Sequence, residues 1–121
     1  MNRALLQSAE RARLSLAKFW GLTEPELQQL FASHDTDAEA ASRYAVDSDS
    51  ETAIQALRIS SLLGIHQALS VLFPDAAQAG RWIRRPNSAT PFSGSTALDH
   101  MIAGGLSAMI EVRRYLDAEL T

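Results

Sequence analysis

Residues 51–72, ETAIQALRISSLLGIHQALSVL, set the strongest limit on the fold. The segment has no proline, and its apolar side chains fall on most faces of a helix rather than along one stripe. No apolar run in the chain is long enough to span a bilayer, so the segment is predicted to be a central helix buried by its neighbours. Gly64 within it costs about 1 kcal/mol relative to Ala and marks a close approach by another element. Phe73-Pro74 ends it.

The rest of the chain also reads as helix. Over residues 2–20, Leu5, Leu6, Ala9, Ala12, Leu16, Phe19 and Trp20 recur every three or four positions, and Gly21 closes the pattern. In LTEPEL, Thr23 and Glu26 form a capping box, Leu22 and Leu27 occupy the hydrophobic-staple positions, and Pro25 stands in the first turn. A helix over 24–32 follows. Thr36 and Glu39 repeat the box and start a third helix to about Val46, before the acidic turn VDSDSE. Asp75 with Gln78 caps a helix over 75–84. Thr96 with Asp99 caps a short one to about 103, Gly104-Gly105 is a hinge, and a last helix spans 106–120. No strand pattern is present. The fold class is all-α, with an N-terminal helix-turn-helix-like region over 1–49 and a second helical unit over 50–121.

Composition narrows the function. The 121 residues are 46% hydrophobic, enough for a core, with a formal net charge of −3 that argues against a generally basic nucleic-acid protein. There is no cysteine, hence no disulfide, thiolate metal site or cysteine nucleophile. His34, His66 and His100 have no partner at ligand spacing, so no metal or other cofactor is expected, and His66 is expected to pack within the central helix. Most carboxylates fall in the stretch 35–51 and read as solvated. Nucleophile elbow, phosphate loop and dinucleotide fingerprint are all missing, so no catalytic residues are assigned and the chain is not expected to be an enzyme. MNRALLQSAERARLSL is amphipathic and charged, unlike a signal peptide, which points to the cytoplasm.

Residues 14–46 have the rhythm of a helix-turn-helix, with Leu27, Leu30 and Phe31 packing one helix and Ala41, Tyr44 and Ala45 the other. The second helix carries Asp37 and Glu39 against a single Arg43, and carboxylates facing phosphates repel them. Arg11, Arg13 and Arg43 are the weak candidates for DNA contact.

The other constellation is RWIRRPNSATPFSGSTALDHMIAGGLSAMIEVRRYLDAEL, residues 81–120. Trp82 with Pro86-Asn87 gives W-x-x-x-P-N. Phe92 and Gly94 precede a Thr96-Ala97-Leu98-Asp99 cap, Gly104-Gly105 gives a glycine step, and residues 112–117 read VRRYLD. This pattern resembles the toxin-binding domain of Xre/MbcA/ParS-type antitoxins over about residues 50–121, with Ala97 where that family's motif has proline. The resemblance implies a type II antitoxin without a cofactor, which masks the active site of a RES-type, NAD-consuming protein toxin as a dimer or larger assembly. It also implies co-repression of the antitoxin's own operon.

Within this stretch Trp82 reads as a core anchor, with an interface role as the alternative. Pro86, Gly94, Thr96 and Asp99 shape the turn and the next helix. Arg81, Arg84 and Arg85 cannot all be buried. They join Asn87, Phe92, Arg113 and Arg114 as candidate toxin contacts, because planar guanidiniums suit a partner's carboxylates. The competing reading is a DNA-binding transcriptional regulator with no toxin partner.

Overall fold

The structure, a computed structural model that describes residues 3–44 and 50–121, consists of six helices: α1 (Arg3–Trp20), α2 (Glu24–Leu30), α3 (Asp37–Ser42), α4 (Glu51–Leu72), α5 (Ala76–Trp82) and α6 (Ala97–Glu119). Among the described residues there is no strand, only an isolated antiparallel bridge between Pro86 and Thr96. The all-α expectation holds.

α4 covers the residues the sequence predicts, and Ser50 caps it by accepting the Ala53 N–H at 3.1 Å. It packs on α1, α3, α5 and α6. Leu62, Ile65 and Leu69 are fully buried, but Leu63 and Val71 are exposed, so one side of the helix stays uncovered. The larger of two apolar clusters joins the two halves of the chain. Leu16 and Trp20 of α1 and Leu30 of α2 meet Leu62, Ile65 and Leu69, Ile83, and Met101, Met109 and Leu116 of α6. The predicted division between residues 49 and 50 lies beside residues 45–49, which fall outside the described residues.

Capping chemistry explains α2. The Glu26 N–H donates to Thr23 Oγ1 at 3.3 Å, and Glu26 Oε1 accepts the Thr23 N–H at 2.9 Å, which completes the predicted box. The second predicted box does not form. Thr36 is already in the αR region and makes no side-chain cap bond. α3 is only six residues long, and the predicted end near Val46 falls outside the described residues. Tyr44, expected to pack inward, is exposed.

The reason lies in Asp37, which is buried rather than solvated. Its Oδ2 accepts the His34 N–H at 3.0 Å and pairs with Arg58 of α4, whose side chain is fully buried. Its Oδ1 accepts the Leu106 N–H of α6 at 3.0 Å. The carboxylate of Thr36's neighbour thus serves three groups, where the sequence places a solvated recognition-helix charge.

Leu106 needs that acceptor because α6 is broken, as the glycine pair predicts. Gly105 has φ 66° and ψ −144°, a conformation L side chains rarely adopt. In an unbroken helix the Leu106 N–H would bond to the Ile102 carbonyl. Here Asp37 takes the donor, and His34 donates from Nε2 to the Ile102 carbonyl at 2.8 Å. The α2–α3 connection therefore satisfies both groups freed by the break. A Cβ at Gly105 would meet Asp37 Oδ1 at 2.7 Å and the His34 ring at 2.8 Å. On α6 itself, His100 Nε2 lies 2.6 Å from Glu111 Oε1. Eleven residues of straight helix would hold them about 16 Å apart, so the bend brings them together.

α1 is tied to α4 by Trp20, which is buried and donates from Nε1 to His66 Nδ1 at 3.1 Å. The Phe19 ring stacks on the same imidazole, with centroids 4.4 Å apart. An accepting Nδ1 places the neutral ring's proton on Nε2. Burial pushes the His66 pKa down, as expected for an imidazole that must stay neutral to accept.

Three outcomes follow. Asp37→Ala and Arg58→Met should each cost about 3–5 kcal/mol by urea denaturation, because each leaves a buried charge unpaired. The double variant should cost less than the sum, and strict additivity would contradict the coupling. Gly105→Ala should cost roughly 2–4 kcal/mol from positive φ and the crowding by His34 and Asp37. For His66 the folded pKa lies below the unfolded value of about 6.5, so the unfolded chain takes the proton first. Stability should be full above that value and fall as pH drops through it. His66→Gln should flatten this part of the pH profile, and a pH-independent gap between variant and wild type would refute the linkage.

Candidate functional site

The loop between α5 and α6 is built from backbone bonds that its residue types permit. One helical turn continues past α5, with Arg84 N–H on Arg81 O at 3.1 Å and Arg85 N–H on Trp82 O at 3.2 Å. Pro86 then turns the chain toward Thr96, and Asn87 N–H donates to Ser95 O at 3.0 Å. Gly94, at φ 95°, donates to Asn87 O at 2.8 Å, while Asn87 Oδ1 accepts the Ala89 N–H at 2.9 Å. Thr96 Oγ1 accepts the Asp99 N–H at 3.0 Å and starts α6. Ala97, where the resembled motif has proline, is buried in the first turn. Leu98 N–H on Ile83 O, at 2.9 Å, ties the start of α6 to the end of α5.

This frame holds an aromatic group together. Trp82 is half-buried and lies against Tyr115, with centroids 6.4 Å apart and planes 21° apart. Phe92 stands edge-on to Trp82, Tyr115 and His100, at 5.8, 5.2 and 5.8 Å. Such pairs each contribute about 0.5–1.5 kcal/mol beyond area burial. Phe92, expected among the partner contacts, is 3% exposed and belongs to the core. The loop turns its ring inward, where the α6 aromatics supply its neighbours. Asn87, also expected as a contact, is half-buried and spends its side-chain oxygen on the loop.

The arginines separate into distinct roles. Arg84 crosses to the end of α1, donating to Gly21 O at 2.7 Å and Trp20 O at 3.3 Å. It also grips both Glu26 oxygens, at 2.7 and 2.9 Å. That guanidinium, joined by the Thr23 N–H, holds the Glu26 carboxyl down at about 2. Arg84 is thus committed within the chain: it caps α1 and fastens α2 to the loop. Arg81 and Arg85 are exposed on the same turn. Arg113 lies along α4 beside Gly64, where a Cβ would come within 2.5 Å of the guanidinium, and donates to Ser60 O at 3.3 Å. This is the close approach that Gly64 predicts. Arg114 sits over the Tyr44 ring at 5.5 Å.

The candidate DNA contacts are not assembled in one place. Arg13 lies over the Phe31 ring at 5.6 Å, within 4.0 Å of Glu10, and lines a hollow between α1 and α4. Arg43 is paired with Glu39 at 3.1 Å and lines hollows beside α6. Arg11 is exposed on α1. Among the described residues, no group of three His, Asp or Glu side chains could hold a metal. Nor is any helix there long and apolar enough to cross a membrane. His34, Asp37, Arg58 and Tyr115 support this region without a local sequence signal. Their partners are 21 or more positions away, and only folding brings them together.

Two comparisons find relatives of this chain. The uncharacterized protein y4oB of Sinorhizobium fredii (strain NBRC 101917 / NGR234) is 45% identical over 62 residues, covering 51% of this chain and 46% of that protein. The match thus spans about half the length of that relative. No solved structure gives a significant match. Residues 68–120 match the antitoxin Xre/MbcA/ParS C-terminal toxin-binding domain, the span that contains the end of α4, α5, the Pro-Asn loop and the bent α6. Over residues 68–120 this chain is therefore similar to the toxin-binding domains of that antitoxin family.

Proposed function

We propose that the protein is the antitoxin of a type II toxin–antitoxin pair and acts by binding, without catalysis of its own. Its partner is a RES-type, NAD-consuming toxin encoded beside it, whose active site it covers. The two form a dimer or larger assembly that also represses the shared operon. The observation that carries this reading is the toxin-binding domain over residues 68–120. The geometry supports it: α5, the loop and α6 form a rigid platform, fastened to α1 and α2 by Arg84 and to the α2–α3 connection by Asp37 and His34.

A DNA-binding regulator without a toxin partner has less physical support. α3 is six residues long, Asp37 is turned into the protein, and Arg43 is neutralised by Glu39. A short acidic helix of this kind offers phosphates little counterion release.

The test is co-expression with the product of the adjacent gene. The two proteins should co-purify, cellular NAD should be preserved, and growth should be restored. A chain that neither co-purifies with that product nor relieves its toxicity is not its antitoxin.

A further inference from the structure

Arg81 lies in the last turn of α5 and Arg85 on the tighter turn that continues it, and both are exposed. Together with Phe73, Gln78 and Arg84 they line a shallow hollow at the end of α5. No carboxylate lines it. Among the described residues, no acidic group lies within ion-pair distance of Arg81 or Arg85. Arg84 differs, since Glu26 neutralises it and two carbonyls hold it. In a chain of net charge −3, this leaves a compact pair of exposed, uncompensated guanidiniums beside the half-buried ring of Phe73.

From this arrangement we infer that Arg81 and Arg85 form a docking surface for an acidic segment of the partner protein, and that Arg84 is a strut that positions them. The inference rests on the toxin-partner reading above and specifies the partner's chemistry. Guanidiniums bind carboxylates in a planar, two-bond geometry. Two of them lining one hollow fit two carboxylates on a short segment, whose apolar neighbours can cover Phe73. A nucleic acid fits less well. It presents a long track of phosphates, whereas this patch holds two free charges, with Glu26 beside Arg84 and Asp75 at the far end of α5.

Electrostatic complementarity of this kind shows in association rate and salt dependence as well as in affinity. The test measures binding of the full chain to the adjacent-gene product at low and high salt. It compares wild type with Arg81→Gln/Arg85→Gln and Arg81→Glu/Arg85→Glu. Both variants should keep the wild-type urea midpoint, because neither side chain has an internal partner among the described residues. The Gln pair should weaken binding about tenfold and reduce its salt dependence, and the Glu pair should weaken it on the order of 100-fold. Wild-type affinity and salt dependence in both variants, while wild type binds the toxin, would overturn the inference and leave the antitoxin reading standing. If wild type itself fails to bind, both fall. Loss of binding to a duplex carrying the operon's promoter, with toxin binding unchanged, would assign the patch to DNA and also overturn the inference.

Discussion

The carboxylate of Asp37 is the tie on which the rest of the arrangement depends. It neutralises Arg58 inside α4, holds the turn before α3 through the His34 N–H, and accepts the Leu106 N–H where α6 breaks. Three segments distant in sequence are thereby fixed to one buried group. A buried ion pair is weak evidence for stability by itself, because desolvation offsets much of the attraction. This one does more than pair two charges, since it supplies an acceptor that a bent helix must find. Gly105 makes the bend possible, and Asp37 with His34 makes it tolerable.

The bend matters for the surface. In a straight α6, His100 and Glu111 would stand about 16 Å apart; bent, they touch. Phe92 also lies between His100 and Tyr115, one from each side of the break. The aromatic group therefore reports the angle between the two parts of α6. Arg84 completes the frame from the other side by capping α1 and gripping Glu26. The matched domain begins at residue 68, yet its supports include Trp20, Glu26, His34, Asp37 and Arg58, all N-terminal to it. The N-terminal helices act here as bracing for the C-terminal part.

That bracing gives a physical account of how a small, acidic, all-helical protein can present a binding face. Binding is tightest when its contacts are preorganised, since little ordering remains to be done on association. Here the loop is held by backbone bonds, its aromatic residue is buried, and the central arginine of the cluster is anchored. The side chains left over on the surface, Arg81 and Arg85 among them, are those with no internal task among the described residues.

Much of this architecture is legible in the residues alone. Helix starts are local events, so Thr23 with Glu26, Asp75 and Thr96 mark α2, α5 and α6 correctly, while apolar periodicity marks α1 and a long proline-free apolar run marks α4. The positive φ that a glycine pair allows predicts the break in α6, and the W-x-x-x-P-N pattern carries the resemblance to the antitoxin toxin-binding domain that the match over residues 68–120 also finds. Thr36 shows the limit. It carries the same T-x-x-E signature as Thr23, but Asp37 is drawn into the core and the box does not form. Likewise the three arginines of RWIRR are equivalent in sequence, and Phe92 reads as an exposed loop aromatic. Only the tertiary structure decides that Arg84 is bonded within the chain, that Arg81 and Arg85 have no partner among the described residues, and that Phe92 is buried. Capping and periodicity are set within a few residues, whereas the fate of a charge or a ring depends on partners 20 or more positions away, which the chain meets only on folding.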